Sequence, residues 1–328
     1  MSALPLLAVS NLHIRLQTPR GPADAVRGID FTLARGETLG LVGESGCGKS
    51  LTAMALLGLL PDSAQVSGSI RLDGEEMLGQ SDATLCRIRG KRIGMVFQEP
   101  MTALNPVHTI GRQVAEPLRL HLGLSATAAR AQALALLDRV GIADAARRMD
   151  QYPHQFSGGQ RQRITIAMAL ACGPDLLIAD EPTTALDVTV QQQILALIQS
   201  LVAERGMALV LISHDLGVIA QNVSRMLVMY GGSVVESGPT AAVFSAMAHP
   251  YTRGLFAARP QWGRHHSGIH THLPTIAGSV PELVDLPAGC PVAGRCARTI
   301  DACAHTRPPP VPSGPDHVAR RLRLEPTA

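Results

Sequence analysis

A glycine-rich loop with the sequence GESGCGKS, residues 43–50, has the residue types and spacing that bind phosphate. It lies between a strand-like apolar run and a helical pattern, as the motif G-x-x-x-x-G-K-[ST] requires. Glycines allow backbone N–H groups to surround phosphate oxygens, and the dipole of the following helix is positive at the same place. Lys49 is predicted to reach β- and γ-phosphates, and Ser50 to hold Mg²⁺. The predicted nucleotide-binding residues of this loop are Gly43, Glu44, Ser45, Gly46, Cys47, Gly48, Lys49 and Ser50, which Leu51 follows.

Two acidic residues end a buried strand pattern in the segment LLIADE, residues 176–181. Asp180 can bind Mg²⁺ through a coordinated water, whereas Glu181 points elsewhere because side chains alternate along a strand. Glu181 is therefore the predicted general base for an attacking water. Acids at a strand end also occur as helix caps or in solvated turns, and the phosphate-binding loop is what favours the catalytic interpretation.

Two further polar residues end strand patterns of the same predicted sheet. Gln98 ends RIGMVFQ, residues 92–98, and its amide is predicted to contact Mg²⁺ or the attacking water. His214 follows MALVLIS, residues 207–213, at the carboxyl edge where open α/β sheets bind ligands. An isolated histidine is usually structural, but this position favours a contact with a γ-phosphate.

A second glycine-rich loop, SGGQ, lies at residues 157–160, directly before the apolar run of a predicted helix. Ser157 could simply cap this helix, as serine does at many helix N-termini. Gly158 and Gly159 also leave bare backbone at the positive end of the helix, which is how a second phosphate site is built.

The order of these motifs resembles that of ABC-type ATPases over about residues 7–240. SGGQ shortly before LLIADEP (176–182) and TALD (184–187) is the most specific element of the resemblance. The resemblance implies an α/β fold that binds ATP and Mg²⁺, with an antiparallel β subdomain and a helical subdomain. It also implies a second ATPase subunit, with two ATPs sandwiched head to tail between the two cassettes. The residues implied to face the partner's ATP are Ser157, Gly158, Gly159 and Gln160, with Asp187 at the junction.

The predicted domains are a nucleotide-binding domain at 1–243, whose helical subdomain spans about 99–165, and a Cys- and Pro-rich extension at 244–328. The extension resembles the tail of ATP-binding subunits of di- and oligopeptide importers, in HPYTRGL (249–255) and PTIAGSVPELVDLPAGCPVAGRC (274–296). This implies peptide uptake through two membrane permease subunits, which the residues after Gln98 would touch, and an extracytoplasmic solute-binding protein that acts indirectly. Importers of nickel, glutathione and some sugars share much of the pattern. These cargoes stay open, as does whether the second ATPase subunit is a copy or a paralogue.

In that family four cysteines of the tail can hold an iron–sulfur cluster. Three are present, Cys290, Cys296 and Cys303, and Arg320 stands where the fourth is expected, so that only His305 or His317 could help. We expect either free thiols or a labile cluster whose role is to fold the tail, because nothing connects these cysteines with the ATP site. Cys47, Cys86 and Cys172 lie apart and are interpreted as packing residues.

The family usually stacks adenine on an aromatic residue of its early strands, and this sequence departs from that pattern. His13 is the only ring between residues 11 and 30, and the other candidates are Leu16, Arg20 and Val26. Arg20 could substitute through its planar guanidinium.

Composition narrows the class of partner. A formal net charge of +3 gives no nucleic-acid footprint, which argues against the ABC ATPases of DNA repair and translation. No apolar run reaches the roughly 18 residues of a membrane span, and the N-terminus lacks the basic region of a signal peptide. We therefore expect a peripheral protein on the cytoplasmic face of the membrane. Residues 307–328, at the C-terminus, are expected to be loosely ordered.

Overall fold

The computed structural model describes residues 4–184, 186–258 and 275–322 of the 328-residue chain. Its strands are β1 (Leu7–Thr18), β2 (Gly21–Leu33), β3 (Thr38–Val42), β4 (Gln65–Leu72), β5 (Glu75–Glu76), β6 (Ile93–Val96), β7 (Leu176–Asp180), β8 (Ala208–Ser213), β9 (Arg225–Tyr230), β10 (Ser233–Pro239), β11 (Pro310–Gly314) and β12 (His317–Arg320). Its helices are α1 (Lys49–Leu57), α2 (Asp82–Ile88), α3 (Pro100–Ala103), α4 (Ile110–Leu122), α5 (Ala126–Arg139), α6 (Ala145–Arg148), α7 (Gly158–Ala169), α8 (Val188–Arg205), α9 (Leu216–Asn222), α10 (Thr240–Ala246), α11 (Pro250–Ala257) and α12 (Ala302–His305).

A small antiparallel sheet, in the order β2-β1-β4-β5, forms one layer. β1 pairs with β2 from Leu7 opposite Leu33 to Thr18 opposite Gly21. Leu12 of β1 is buried, whereas Asn11 before it is exposed and His13 after it is half-buried, the alternation expected of a sheet with one solvated face. The predicted antiparallel strands are thus confirmed.

The strands that lead to the predicted site run parallel in a second sheet, ordered β11-β12-β10-β9-β3-β8-β7-β6. β3 pairs in parallel with β8 and β9, and β7 pairs in parallel with β6 and β8. Every residue of β7 and β8 is buried, which explains why both strands are continuous apolar runs. The carboxyl ends of β3, β6, β7 and β8 meet at one edge of this sheet, and the α/β fold class is confirmed.

A helical region, α3 to α7, is inserted between β6 and β7. The buried face of α4 includes Ile110, Val114 and Leu118, which belong to the same apolar core as buried residues of α5 and α7. A Cβ atom at Gly111 would lie only 2.8 Å from the Met149 carbonyl oxygen, so a larger residue would separate α4 from the chain after α6. Helices α3 to α6 lie within residues 99–165, the range predicted for a helical subdomain, and α7 begins within it.

The C-terminal extension continues the second sheet. β12 pairs antiparallel with β10, and β11 pairs antiparallel with β12. The expectation that residues 307–328 are loosely ordered was therefore wrong over β11 and β12, while residues 323–328 lie outside the described part. Pro310 and Pro312 suggested an irregular chain, but they lie on an edge strand, where proline is tolerated because some N–H groups need no partner.

A buried carboxylate joins the extension to this sheet. Glu236 of β10 accepts hydrogen bonds from the backbone N–H groups of Ala248 (2.7 Å) and His249 (3.0 Å). Its Oε1 atom also lies 2.7 Å from Nε2 of His317 on β12, and both side chains are almost fully buried. The extension is thus tied to the cassette through polar groups as well as through the sheet.

None of the helices that the structure describes has both the length and the apolar character needed to cross a bilayer.

Candidate active site

The backbone of the 43–50 loop is pressed against its neighbours at two glycines. Gly43 has φ +156°, and a Cβ atom there would lie 2.2 Å from the Met229 carbonyl oxygen. Gly48 has φ +98°, and its Cβ would lie 2.7 Å from the Ala25 carbonyl oxygen. Both positions therefore require glycine on steric grounds, and α1 begins directly after the second one.

The ammonium of Lys49 lies within this loop. Lys49 is only 6% exposed. Its Nζ atom donates to the carbonyl oxygens of Gly43 (2.8 Å) and Glu44 (3.0 Å). Because neutral carbonyls and not a carboxylate hold this charge, it remains available to pair with an incoming phosphate. Cys47 is buried beside it, and burial raises the pKa of that thiol.

Asp180 presents an incompletely satisfied carboxylate at the end of β7. The residue is 4% exposed, and among the described residues its Oδ1 atom has no hydrogen-bond partner. Burial raises the pKa of the Asp180 carboxyl, while a hydrogen bond from Ser50 acts in the opposite direction. A buried carboxylate oxygen without a partner is costly unless a cation or a donor satisfies it. Asp180 and Ser50 therefore fit a Mg²⁺ ion, for which oxygen atoms are the preferred ligands.

Three polar side chains surround the carboxylate of Glu181: those of His214 and Gln98, which were predicted to be catalytic, and that of Thr184. Its Oε2 atom lies 3.2 Å from Nδ1 of His214. It accepts hydrogen bonds from Oγ1 of Thr184 (2.9 Å) and, at the longer distance of 3.4 Å, from Nε2 of Gln98. The structure thus brings the three predicted catalytic residues together. Thr184 was missed, and its place within a turn after the acids is the signal that could have found it.

The backbone directs Glu181 away from Asp180. Glu181 has φ +45°, in the left-handed region that non-glycine residues seldom occupy, and its N–H donates to the Ile212 carbonyl oxygen on β8. Such conformations persist only where the surroundings enforce them, and they cluster at functional sites. Asp180 remains buried at the strand end while Glu181 reaches Gln98 and His214, whose side chain is 65% exposed.

The SGGQ loop is a capped helix start, as one of the two interpretations proposed. The Ser157 hydroxyl accepts from the Gln160 N–H (3.3 Å), and Oε1 of Gln160 accepts from the Ser157 N–H (3.1 Å). This capping box engages the N–H groups of Ser157 and Gln160 and uses neither of the two glycine N–H groups, so the phosphate-binding interpretation stays open.

The two glycines of this loop have different reasons to be glycine. A Cβ atom at Gly159 would lie 2.7 Å from Cγ1 of Val190, so a side chain there would force Val190 to move. At Gly158 the nearest described atom is Cδ2 of Leu186 at 3.6 Å, an ordinary contact, and Gly158 has no positive φ. Asp187, the N-cap of α8, accepts from the Val190 N–H at 2.9 Å close by. Nothing in the described chain explains the glycine at 158.

The candidate residues for adenine stacking differ in burial and in the contacts that they make. Val26 is fully buried, and one of its methyl carbons lies close to Gly48, so it is not available to a nucleotide. Arg20 is held by two carboxylates of the extension, Glu282 at 2.7 Å and Asp285 at 2.8 Å. The Nδ1 atom of His13 lies 2.9 Å from the Asn11 carbonyl oxygen.

Cys290, Cys296 and Cys303 line one cavity of about 60 Å³ in the extension. Arg320, which stands in place of a fourth cysteine, lines the same cavity. Burial raises the pKa of the Cys290 thiol, and the two other thiols act in the same direction. In the described part of the chain, no three His, Cys, Asp or Glu side chains are arranged to hold a metal ion.

Neither His305 nor His317 supplies a fourth ligand to the three cysteines. Nε2 of His317 is engaged by Glu236, and His305 is exposed. Three thiols beside an arginine therefore do not match the four-thiolate set of common iron–sulfur clusters. The packing interpretation of the remaining cysteines holds for Cys47 but was wrong for Cys86, which is exposed because it lies on the outer face of α2.

Comparison with known proteins gives two family matches. Residues 26–184 match the family described as ABC transporter, and residues 235–303 match the family described as oligopeptide/dipeptide transporter, C-terminal region. A relative described as a peptide import ATP-binding protein of Brucella abortus (strain 2308) is 50% identical over 309 residues, 94% of this chain and 92% of the relative. One so described from Brucella melitensis biotype 1 is 48% identical over 334 residues, 99% of each chain.

Solved structures resemble the cassette part. The ATP-binding cassette MJ0796, solved as a dimer bound to ADP and Pi in a post-hydrolysis state, is 28% identical with a TM-score of 0.64. The match covers 71% of this chain and 98% of that one. The cbiO1 protein of Clostridium perfringens, part of the ABC transporter complex cbiONQ, is 28% identical with a TM-score of 0.63, over 74% of this chain and 92% of that one.

Proposed function

This chain belongs to the ATP-binding subunits of ABC transporters, as an ATPase of their peptide import branch, and from this we propose roles for its residues, its partners and its cargo. The convergence of Gln98, Thr184 and His214 on the Glu181 carboxylate, beside a phosphate-binding loop, is the observation that carries the proposal.

Lys49 and the loop backbone bind the phosphates of ATP, with Lys49 exchanging carbonyl oxygens for phosphate oxygens. Ser50 and Asp180 would hold Mg²⁺, directly or through water. Gln98, whose Nε2 atom lies 3.4 Å from Oε2 of Glu181, would contact the ion or the attacking water. Mg²⁺ supplies charge neutralisation at the phosphates. Glu181 accepts the proton of the attacking water, and His214 orients that carboxylate and contacts the γ-phosphate.

Hydrolysis takes place between two cassettes. No contact within the described chain requires glycine at position 158, which supports the close approach of a group from outside the chain. We assign that approach to the γ-phosphate of ATP held by the second ATPase subunit, with Ser157, Gly159 and Gln160 in the same loop and Asp187 at the junction. The dimeric state of the MJ0796 cassette is consistent with such a pair.

The permease partner docks at an apolar groove between the parallel sheet and the helical region. The groove has a volume of about 210 Å³. Leu59 (41% exposed) and Phe97 (40% exposed) offer unusually exposed apolar surface on its rim. Exposed apolar patches on a water-facing protein commonly mark partner sites. Two permease subunits would seat one cassette each, which places this chain on the cytoplasmic face of the membrane.

The cargo is a di- or oligopeptide, delivered to the permeases by an extracytoplasmic solute-binding protein. The match of residues 235–303 to the oligopeptide/dipeptide region and the descriptions of the two relatives support this cargo. Nickel ion and glutathione are the alternatives, since the tail pattern alone does not separate them.

Reconstitution tests the function and the cargo together. The complex of this chain, its second cassette, the two permeases and the solute-binding protein is placed in liposomes that contain Mg²⁺ and ATP. We expect added peptide to stimulate ATP hydrolysis. We also expect peptide to accumulate in the liposome lumen only when the lumen contains ATP. Stimulation by nickel or glutathione with none by peptide would overturn the cargo. Because the second cassette can still hydrolyse ATP in this complex, the site is tested on the isolated chain, where unchanged MgATP affinity in Lys49→Ala would overturn it.

A further inference from the structure

The carboxyl-terminal extension reaches the phosphate-binding loop, a contact that no motif or spacing predicts. Arg295 donates two hydrogen bonds to the carboxylate of Glu44, from Nη1 to Oε2 at 2.7 Å and from Nη2 to Oε1 at 3.0 Å. The expectation that nothing connects the tail with the ATP site was made for Cys290, Cys296 and Cys303 only. Arg295, which lies between two of these cysteines in sequence, is the residue that makes the connection.

A second residue of the extension holds the backbone of the same loop residue. The hydroxyl oxygen of Tyr251 accepts a hydrogen bond from the Glu44 N–H at 3.0 Å. Burial raises the pKa of Tyr251, which keeps the hydroxyl neutral, and its ring packs edge-on against Tyr230 at 4.7 Å between centroids. The Glu44 carbonyl oxygen, in turn, accepts from Lys49 Nζ at 3.0 Å. Every polar group of Glu44 is thus engaged, and one of them holds the lysine that is to bind phosphate.

The arginine is itself rigidly placed. Its side chain is 6% exposed, and it also donates to the carbonyl oxygens of Ala277 (2.9 Å) and Gly278 (3.2 Å). Bidentate arginine–carboxylate pairs fix geometry as well as charge. The pair with Glu44 raises the pKa of Arg295, so the guanidinium remains charged throughout the ordinary pH range.

We propose that Arg295 and Tyr251 are positioning residues of the ATP site, which act through Glu44 to hold the phosphate-binding loop in its binding shape and to neutralise a carboxylate beside the polyphosphate. This rests on the proposed function of the loop as the ATP site. Without Arg295, the Glu44 carboxylate would stand unpaired in the loop that receives a polyanion, and ATP affinity would fall through repulsion and through loss of loop order.

The test measures MgATP affinity of the purified full-length chain by calorimetric titration. Arg295→Met, which keeps an unbranched apolar stem but removes the guanidinium and its charge, is expected to weaken ATP binding about 10-fold, a size typical of coupling between sites. Adding Glu44→Gln to Arg295→Met removes the unpaired carboxylate and is expected to restore most of that loss. Arg130→Met is the matched control, because Arg130 forms a bidentate pair with Asp150 in the helical region, away from the loop.

Two conservative variants keep the test valid if Arg295→Met folds poorly. Arg295→Lys retains the charge but cannot form the bidentate pair, and an intermediate affinity is expected. Tyr251→Phe removes one hydrogen bond and is expected to lower ATP affinity about 5-fold. In the complete transport complex both variants should raise KM for ATP and leave kcat at saturating ATP nearly unchanged, since neither residue touches the reacting atoms.

A purely structural role gives a different pattern. In that case Arg295→Met lowers the unfolding temperature while ATP affinity stays within about 2-fold of the parent, or the affinity lost is not restored by Glu44→Gln, and either result overturns the proposal. Lys49→Ala is measured in parallel. Normal ATP affinity in Lys49→Ala would overturn the ATP site itself, whereas its loss together with normal affinity in the Arg295 and Tyr251 variants would overturn only this inference.

Discussion

Nδ1 of His214 lies 3.2 Å from Oε2 of Glu181, so the first residue after β8 and the first after β7 form one polar unit at the sheet edge. Thr184 donates to the same carboxylate oxygen at 2.9 Å. A general base is effective when neighbouring groups orient it and leave a lone pair for the attacking water. This unit has that arrangement, and it makes Glu181 the residue whose replacement separates ATP binding from ATP hydrolysis.

Glu181→Gln is expected to retain MgATP binding and to slow hydrolysis by at least about 100-fold, because the amide keeps the shape of the side chain but cannot accept a proton. Turnover is measured in the purified transport complex and affinity in the isolated chain. Thr184→Val is the matched control: it removes one hydrogen bond to the carboxylate and should cost far less in kcat. Near-normal turnover in Glu181→Gln would show that another group activates the water.

Asp180→Asn is expected to weaken MgATP binding and, in the absence of nucleotide, to make the protein more stable. Burial raises the pKa of Asp180, so the folded state takes up this proton more readily than the unfolded state does. The parent's stability therefore decreases as pH rises from about 4 through the raised pKa, and the uncharged variant avoids that loss. The two proteins should unfold at similar temperatures at low pH, and the variant about 2 °C or more higher at pH 8.

The result that would contradict this is a nucleotide-free parent more stable than Asp180→Asn at pH 8. The carboxylate would then have a favourable partner in the folded chain, and the argument from its unpartnered oxygen to Mg²⁺ would fail. Ser50→Ala serves as a comparison, since it removes the donor to Asp180 and should destabilise the parent without removing the buried charge.

The local parts of the site were predictable because each is encoded in a few consecutive residues. The loop around Lys49 requires glycines at fixed spacings. Asp180 follows a continuous apolar run, which is typical of parallel strands because both of their faces are buried. The pair of Arg295 with Glu44 joins residues 251 positions apart, and the pair of His317 with Glu236 joins residues 81 positions apart. No periodicity or spacing connects such partners, because only the folded sheet brings them together.

The fold was harder to predict where composition and context disagree. The proline-rich segment around β11 has the composition of an irregular tail, yet pairing with β12 at the sheet edge needs few N–H groups from it. Cys86 was expected to pack inside because cysteine usually does, but only the position of α2 decides which of its faces is solvated. In both cases tertiary context outweighed residue type.

Gly158→Asp is expected to disable the ATP site of the opposite cassette and not its own. The structure leaves room for a Cβ atom at this position, so the variant should fold normally and bind ATP at its own loop. In a tandem-linked pair of cassettes, Lys49→Ala on one and Gly158→Asp on the other should leave one intact site and about half the activity. Both changes on the same cassette should remove both sites, and the reverse pattern would show that the loop serves its own ATP.

Gly159→Ala provides the contrast for this experiment. Its Cβ atom would lie 2.7 Å from Val190 of the same chain, so the expected defect includes a loss of stability of the cassette that carries it. A circular dichroism melt of each single variant distinguishes the two: Gly158→Asp should melt close to the parent, and Gly159→Ala below it.

The last prediction concerns the cysteine cavity of the extension. The chain purified without oxygen is expected to contain no stable four-iron cluster, because Arg320 occupies the place of a fourth thiolate beside Cys290, Cys296 and Cys303. Arg320→Cys should raise bound iron and sulfide towards four of each per chain and add absorption near roughly 400 nm, the region of thiolate-to-iron bands. Arg320→Ser removes the positive charge without adding a thiolate, and it should stay at the low iron content of the parent. A parent chain with a stable, stoichiometric cluster that survives replacement of both His305 and His317 would show that the missing ligand has been wrongly identified.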